Sequence, residues 1–163
     1  MFLEILEKIM AYEEKFMKKA LSLAKKAYEL DEVPVGAVVV LEGKVIASAY
    51  NKREHGRDAT AHAEILAIKK ACKKLNDFRL VGAELYVSLE PCVMCTGAIL
   101  NSRIERVYYG ASITNGSISC EELAGRAELN HKTHFEGGFL KEECSAIVSN
   151  YFKQKRKKTQ KSE

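Results

Sequence analysis

The chain has 163 residues, 47% of them hydrophobic and 29% charged, which suits one globular domain (1–163) with its own core and excludes a membrane span, since no apolar run approaches the roughly 18 residues needed. Five cysteines, an odd number without a secretory signal, argue against a disulfide framework and for reduced thiols in a cytoplasm. The net charge of +4 is concentrated: residues 153–163 hold six basic and one acidic residue, leaving 20 basic against 21 acidic elsewhere, so the tail at about 150–163 is either an electrostatic footprint for a polyanion or a solvated helix end.

In the extension at about 1–12, Phe2, Leu3, Ile5, Leu6 and Ile9 are interrupted by Glu4 and Glu7. This reads as an amphipathic helix that packs on the domain or on a partner copy, not as a signal peptide. From Glu13 to Leu30, Phe16, Ala20, Leu23, Ala24, Ala27 and Leu30 recur at three- and four-residue intervals and predict a helix. Val35 to Leu41 and Lys44 to Tyr50, joined by Glu42-Gly43, predict a hairpin. Asn51 to Thr60 is polar and predicts a loop. A helix over about Ala61 to Leu75, with Thr60 as N-cap, follows from Ile65, Leu66, Ile68 and Ala71 set against a face of lysines. Leu85 to Leu89 predicts a buried strand, then a helix to about Ser102, then a strand at Val107 to Ala111. Ser112 to Ser119 is a polar loop containing Asn115-Gly116, and Ser119 with Glu122 fits a capping box. Leu140, Cys144, Ile147, Val148, Tyr151 and Phe152 predict a helix from Phe139 to about Lys157. Helices alternating with strands favour an α/β layered fold with some parallel pairing, opened by an antiparallel hairpin.

The chemistry concentrates at Pro91-Cys92-Val93-Met94-Cys95 and His62-Ala63-Glu64. Cysteines at i and i+3 share a helical face and suit two thiolates converging on one ion. Pro91 is favoured at the first helical position, where the helix N-terminus helps Cys92 to ionise. His62 supplies a third ligand, which leaves the fourth tetrahedral position of a zinc ion to water and makes the site catalytic in kind. Glu64 then stands as the base. One tension remains, because i and i+2 point about 200° apart on a regular helix, so Glu64 has to fold back to reach an ion held by His62. A lone Cys-x-x-Cys also occurs in redox sites and zinc ribbons, but neither explains the His-x-Glu pair. His-x-Glu followed by Pro-Cys-x-x-Cys is the signature of zinc-dependent nucleobase deaminases.

The resemblance extends beyond the signature. Residues 32–39 (EVPVGAVV), 58–65 (DATAHAEI) and 85–95 (LYVSLEPCVMC), with Gly97-Ala98, Ser102-Arg103-Ile104 and Asn130-His131, closely resemble the bacterial tRNA-specific adenosine deaminases of the cytidine/deoxycytidylate deaminase superfamily, over most of residues 13 to 157. The resemblance implies a cytidine-deaminase-like three-layer α/β/α sandwich with a central five-stranded mixed sheet. It also implies a cytoplasmic homodimer with one Zn2+ per subunit and no organic cofactor, converting the wobble adenosine of an arginine tRNA anticodon stem-loop to inosine. Carried over by position, His62, Cys92 and Cys95 are the zinc ligands and Glu64 the proton shuttle. Asn51, Ala63 and Pro91 meet the target nucleoside. Lys153, Lys155 and Arg156 are candidates to hold the RNA backbone.

The chain departs from the family after Gly110-Ala111. There the family usually has an acidic residue and a Lys/Gly-rich loop that grips RNA, whereas Ser112-Ile113-Thr114-Asn115-Gly116 stands here. The same zinc constellation would also serve a deaminase of a free purine base or nucleoside, or a catalytically silent RNA-binding relative. Cys72, Cys120 and Cys144 are expected to be packed or partly exposed thiols, and His55, His131 and His134 hydrogen-bonded loop residues, since none of the cysteines has a partner at ligand spacing.

Overall fold

The structure is a computed structural model and describes residues 1–9, 11–113, 117–126 and 131–161. In chain order the elements are α1 (Phe2–Ile9), α2 (Glu14–Glu29), β1 (Gly36–Leu41), β2 (Lys44–Tyr50), α3 (Arg53–Gly56), α4 (Ala63–Leu75), β3 (Ala83–Leu89), α5 (Val93–Asn101), β4 (Arg106–Ala111), α6 (Cys120–Arg126), β5 (His134–Gly137) and α7 (Lys141–Gln160). Five strands form one sheet in the order β2-β1-β3-β4-β5. The hairpin partner β2 and the central β3 both run antiparallel to β1, while β3, β4 and β5 are mutually parallel. This is the mixed sheet expected, opened by its antiparallel hairpin.

Strand alternation builds two cores. Ala37, Val39, Leu85, Val87, Val107 and Tyr109 face one side, against Ala63, Ala67 and Ile68 of α4 and Ile99 of α5. Val38, Val40, Tyr86 and Tyr108 face the other, against Phe16, Met17 and Ala20 of α2 and Cys144 of α7. Each buried Val, Leu, Ile, Phe or Met side chain among them contributes roughly 1.5–3 kcal/mol by leaving water, so both helical layers are pinned to the sheet by its period of two. At Gly36 α2 lies so close to β1 that an added Cβ would run into the Ala20 carbonyl oxygen, and only glycine fits that approach. The result is a three-layer α/β/α sandwich. Among the described residues, no helix is long and apolar enough to cross a membrane.

Two expectations need correction, one is met in part, and the structure adds a strand. The Asn51 to Thr60 loop contains the short α3, because the buried Glu32 carboxylate accepts the backbone N–H groups of Glu54 and His55, at 3.1 and 2.7 Å. Thr60 is not the N-cap of α4, since its hydroxyl and N–H are both spent on Asp58 Oδ1, at 2.7 and 2.8 Å. The strand β5 carries one buried apolar residue, Phe135, in four positions, too little to register as a pattern. Of the two packings expected for α1, on the domain or on a partner copy, the first is not seen: Phe2, Leu3 and Ile5 are exposed, and the sheet faces are covered by α2 and α7 and by α4, α5 and α6. Ser119 does cap α6 as expected, its Oγ accepting the Glu122 N–H at 3.1 Å, while the Glu122 carboxylate turns to Arg126. The Asn115-Gly116 turn and Asn130 lie outside the described residues.

Candidate active site

Two helix N-termini meet at the carboxyl end of β3, and each opens on a residue expected to bind metal. His62 occupies the N-cap of α4 on extended backbone (φ −71°, ψ 153°), its carbonyl accepting the Leu66 N–H at 3.0 Å. Cys92 does the same for α5 (φ −70°, ψ 174°), its carbonyl accepting the Thr96 N–H at 2.8 Å. Pro91 therefore precedes the cap instead of opening the helix, because the first helical hydrogen bond already starts from Cys92. With His62 off the helix and Glu64 inside its first turn, the 200° separation of a regular helix does not apply. The imidazole and the carboxyl converge after all.

The geometry is that of a ligand set. His62 Nδ1 lies 3.7 Å from Cys92 Sγ and 3.6 Å from Cys95 Sγ, and the three donor atoms are within 4.8 Å of one another. Zinc bonds of about 2.3 Å to sulfur and 2.0–2.1 Å to nitrogen at tetrahedral angles place neighbouring S and N atoms about 3.5 Å apart, so one imidazole and two thiols fit zinc with the fourth position open. The electrostatics agree. The Cys92 thiol is pulled down to about 4, first by the Cys95 hydrogen bond and, against burial, by His62. The Cys95 thiol is pushed up, first by its hydrogen bond with Cys92 and then by burial. His62 is raised, above all by its hydrogen bond with Cys92. Three donors crowding their protons in this way are suited to a dication, which would hold both sulfurs as thiolates. Among the described residues this is the one such group of metal-binding side chains.

Glu64 is buried, and burial pushes its carboxyl up to about 7, with a hydrogen bond to Cys95 pulling the other way. It lines a cavity of about 150 Å³ with Val33, Val35, Asn51, Arg53, His62, Ala63, Leu89, Glu90, Cys92 and Ile113, a space on the scale of one planar aromatic ring system. Asn51 is buried within this wall, donating from Nδ2 to the Val33 carbonyl and accepting the Arg53 N–H at Oδ1, both at 3.1 Å. Its second amide hydrogen and second lone pair remain for a ligand. Ala63, the first residue of α4, carries one of the helix's opening N–H groups, which have no partner inside the helix.

The structure thus brings together His62, Glu64, Cys92 and Cys95, with Asn51 and Ala63 in the same wall. Pro91 is buried but does not line the cavity. Lys153 and Arg156 are exposed on α7, whereas Lys155 is engaged by Asp31 at 2.7 Å. Cys120 and Cys144 are buried and Cys72 half-buried, as expected of packed thiols, and the His55 and His131 rings are hydrogen-bonded to Glu32 and to the Ile104 carbonyl. Sequence reasoning missed Arg53, Glu90 and Ile113. Glu90 had a signal, since it directly precedes Pro91-Cys92, while Arg53 and Ile113 had none beyond their place in polar stretches.

Comparison with known proteins agrees with this geometry. A family model for the cytidine and deoxycytidylate deaminase zinc-binding region matches residues 10–111. A Bacillus subtilis (strain 168) tRNA-specific adenosine deaminase is 46% identical over 151 residues, covering 91% of this chain and 94% of its own length. A chain solved in a study of A-to-I editing by tRNA:A34 deaminases at the wobble position of transfer RNA superposes with a TM-score of 0.79 at 44% identity, over 83% of this chain and 99% of that one. A guanine deaminase from Nitrosomonas europaea superposes with a TM-score of 0.75 at 28% identity, over 92% and 91%. The chain therefore belongs to the cytidine and deoxycytidylate deaminase family, among its tRNA-specific adenosine deaminases.

Proposed function

We propose that this protein hydrolyses the exocyclic C–N bond of adenosine at the wobble position of tRNA, in the anticodon loop of an arginine tRNA, leaving inosine and ammonia. The observation that carries the reading is the buried Glu64 carboxyl beside the His62, Cys92 and Cys95 donors at the bottom of a base-sized cavity. One zinc ion bound by those donors would supply a water of lowered pKa at the reacting carbon. Glu64 would take one proton from that water as its oxygen bonds to C6 and pass it to N1 of the ring, then take the C6 hydroxyl proton and hand it to the amine as the C–N bond breaks, leaving a C6 carbonyl and ammonia. Asn51 and the Ala63 N–H orient the base.

A cavity of this size takes the base and leaves the sugar and backbone outside, so the target nucleotide must be unstacked, as it is in an anticodon loop. Greater identity to the tRNA-acting relatives than to the guanine deaminase supports RNA over a free purine. Lys153 and Arg156, with Lys155, supply cations for its backbone. A homodimer in the cytoplasm completes the reading. Val93 and Met94, apolar and exposed beside Cys92, are residues that a partner copy would cover.

Zinc-loaded protein incubated with an arginine tRNA anticodon stem-loop, adenosine and guanine tests the reading, with inosine or the free deaminated base quantified by mass spectrometry. Inosine in the RNA is the expected result. Consumption of a free purine while the RNA stays unmodified would instead assign the enzyme to purine salvage-type deamination.

A further inference from the structure

Glu90 takes no part in the ligand set, yet its side chain is buried, with the residue 5% exposed. Its own N–H donates to the Ala111 carbonyl at 2.8 Å, joining the end of β3 to the end of β4. Its two carboxylate oxygens then point to two separate places in the chain. Oε2 accepts the Ile113 N–H at 2.9 Å and Oε1 accepts the Cys120 N–H at 3.1 Å. The first partner is where the chain has just left β4, and the second is where it enters α6. Backbone N–H groups bound to a carboxylate in a buried setting are among the stronger hydrogen bonds in a protein. Tyr109 adds a second tie to α6, its hydroxyl donating to Glu121 at 3.2 Å.

One end of this arrangement is the catalytic floor, since Glu90 is two residues from Cys92. The other is the wall, since Ile113 lines the cavity with Glu64 and Asn51. We propose that Glu90 is a positioning residue that determines substrate fit: by holding Ile113 and Cys120 to the residue two before Cys92, it fixes the Ile113 wall at a set distance from the reacting centre. This rests on the reading that the cavity takes the target base. It extends that reading by placing selection at Ile113, just past the end of β4 and apart from the metal donors. Glu90 lines the cavity as well and is not one of the metal donors, and its role here is carried by the backbone that it holds, which the amide-exchange readout below reports.

The test uses the full chain reconstituted with zinc. Glu90→Ala removes both acceptors, and Glu90→Gln keeps one. For the anticodon stem-loop, KM is expected to rise about tenfold in Glu90→Ala and less in Glu90→Gln, with kcat falling less than about threefold and zinc content unchanged. Amide exchange at Ile113 and Cys120 should quicken by about tenfold or more in Glu90→Ala. A wild-type KM with wild-type exchange would overturn the proposal. So would a parallel fall of kcat, zinc content and Tm, which is the mark of a merely structural carboxylate.

Should Glu90→Ala fail to fold, Cys120→Pro cuts one tie and leaves the carboxylate intact. Proline is favoured at the first helical position, which Cys120 occupies in α6, and removes the N–H together with the buried thiol, so Cys120→Ala, which keeps the N–H, is the control for loss of the thiol. The same KM rise at smaller size is expected, and an unchanged KM overturns the proposal. If the wild type does not act on RNA, the functional reading above has failed, and the KM and kcat split is measured on whichever purine it deaminates. If it acts on none, exchange at Ile113 and Cys120 decides alone.

Discussion

At the floor of the cavity, His62 and Cys92 sit at the caps of α4 and α5, helices pinned to the sheet by Ala63, Ala67 and Ile99, and Cys95 lies one turn further in. At the rim, Arg53 and Ile113 sit on short connecting segments, each tied at two backbone N–H groups by a buried carboxylate, Glu32 or Glu90, with Asn51 and Tyr109 adding single hydrogen bonds. The floor is over-determined, because moving a ligand means moving a helix and the core behind it. The rim is not. Loss of one carboxylate there frees two backbone N–H groups at once. On the function proposed above, reaction and selection are separable in this molecule, the first resting on packed helices and the second on individual hydrogen bonds.

The strongest way to break the comparison is at the floor. Cys95→Ala removes a fully buried donor and is expected to abolish both zinc binding and turnover, as read by metal analysis alongside inosine formation. Zinc and turnover surviving together would contradict the ligand assignment. A step smaller is Asn51→Ala, at the junction of floor and rim. It strands the Arg53 N–H and the Val33 carbonyl, at a cost of about 1–3 kcal/mol for each buried group left unpaired. Steady-state kinetics should give kcat/KM lower by about 10- to 100-fold with zinc content intact.

The rim alone is addressed by Glu32→Gln. Burial pushes the Glu32 carboxyl up, but the N–H groups of His55 and Glu54 and the His55 ring outweigh it and hold the pKa below its ordinary 4.5. A depressed carboxyl contributes stability that is present above 4.5 and is lost as pH falls through the folded-state value. The Tm difference between wild type and Glu32→Gln should therefore be full at pH 7 and shrink once the pH drops below 4.5, while zinc content at pH 7 stays the same. A difference independent of pH would mean that the carboxylate charge does not hold α3. The smallest effect is expected at Lys155→Ala. Its pair with Asp31 is half-exposed and worth about 0.2–1 kcal/mol, so Tm should barely move. Binding of the stem-loop measured against salt shows whether a phosphate contact is lost, as a slope shallower by about one.

The floor was legible in the sequence because its chemistry lives in side-chain identity: cysteines three apart, and a histidine two before a glutamate, are visible as letters. The layered sheet was legible for a similar reason, since Val38 and Val39 alternate faces with a period that the residues themselves carry. The two carboxylate ties were not legible. Glu32 and Glu90 bind backbone N–H groups, which every residue except proline possesses, so nothing in the letters at positions 54, 55, 113 or 120 marks them as partners. Cap positions were misjudged by one or two residues for a related reason. Thr60 is a good cap in isolation, but Asp58 had already claimed its hydroxyl. The short β5 fell below any pattern, since Phe135 alone cannot announce a strand.

The proposed chemistry rests on the floor of the cavity, on Glu64 beside a bound metal. Glu64→Gln keeps the shape and burial of the side chain while removing the proton acceptor, and zinc stoichiometry with single-turnover deamination of the anticodon stem-loop can be read on the same sample. The account predicts one zinc per chain in both proteins and a rate lower by about 10²- to 10⁴-fold in the variant. A zinc-loaded Glu64→Gln protein that deaminates at the wild-type rate would contradict it.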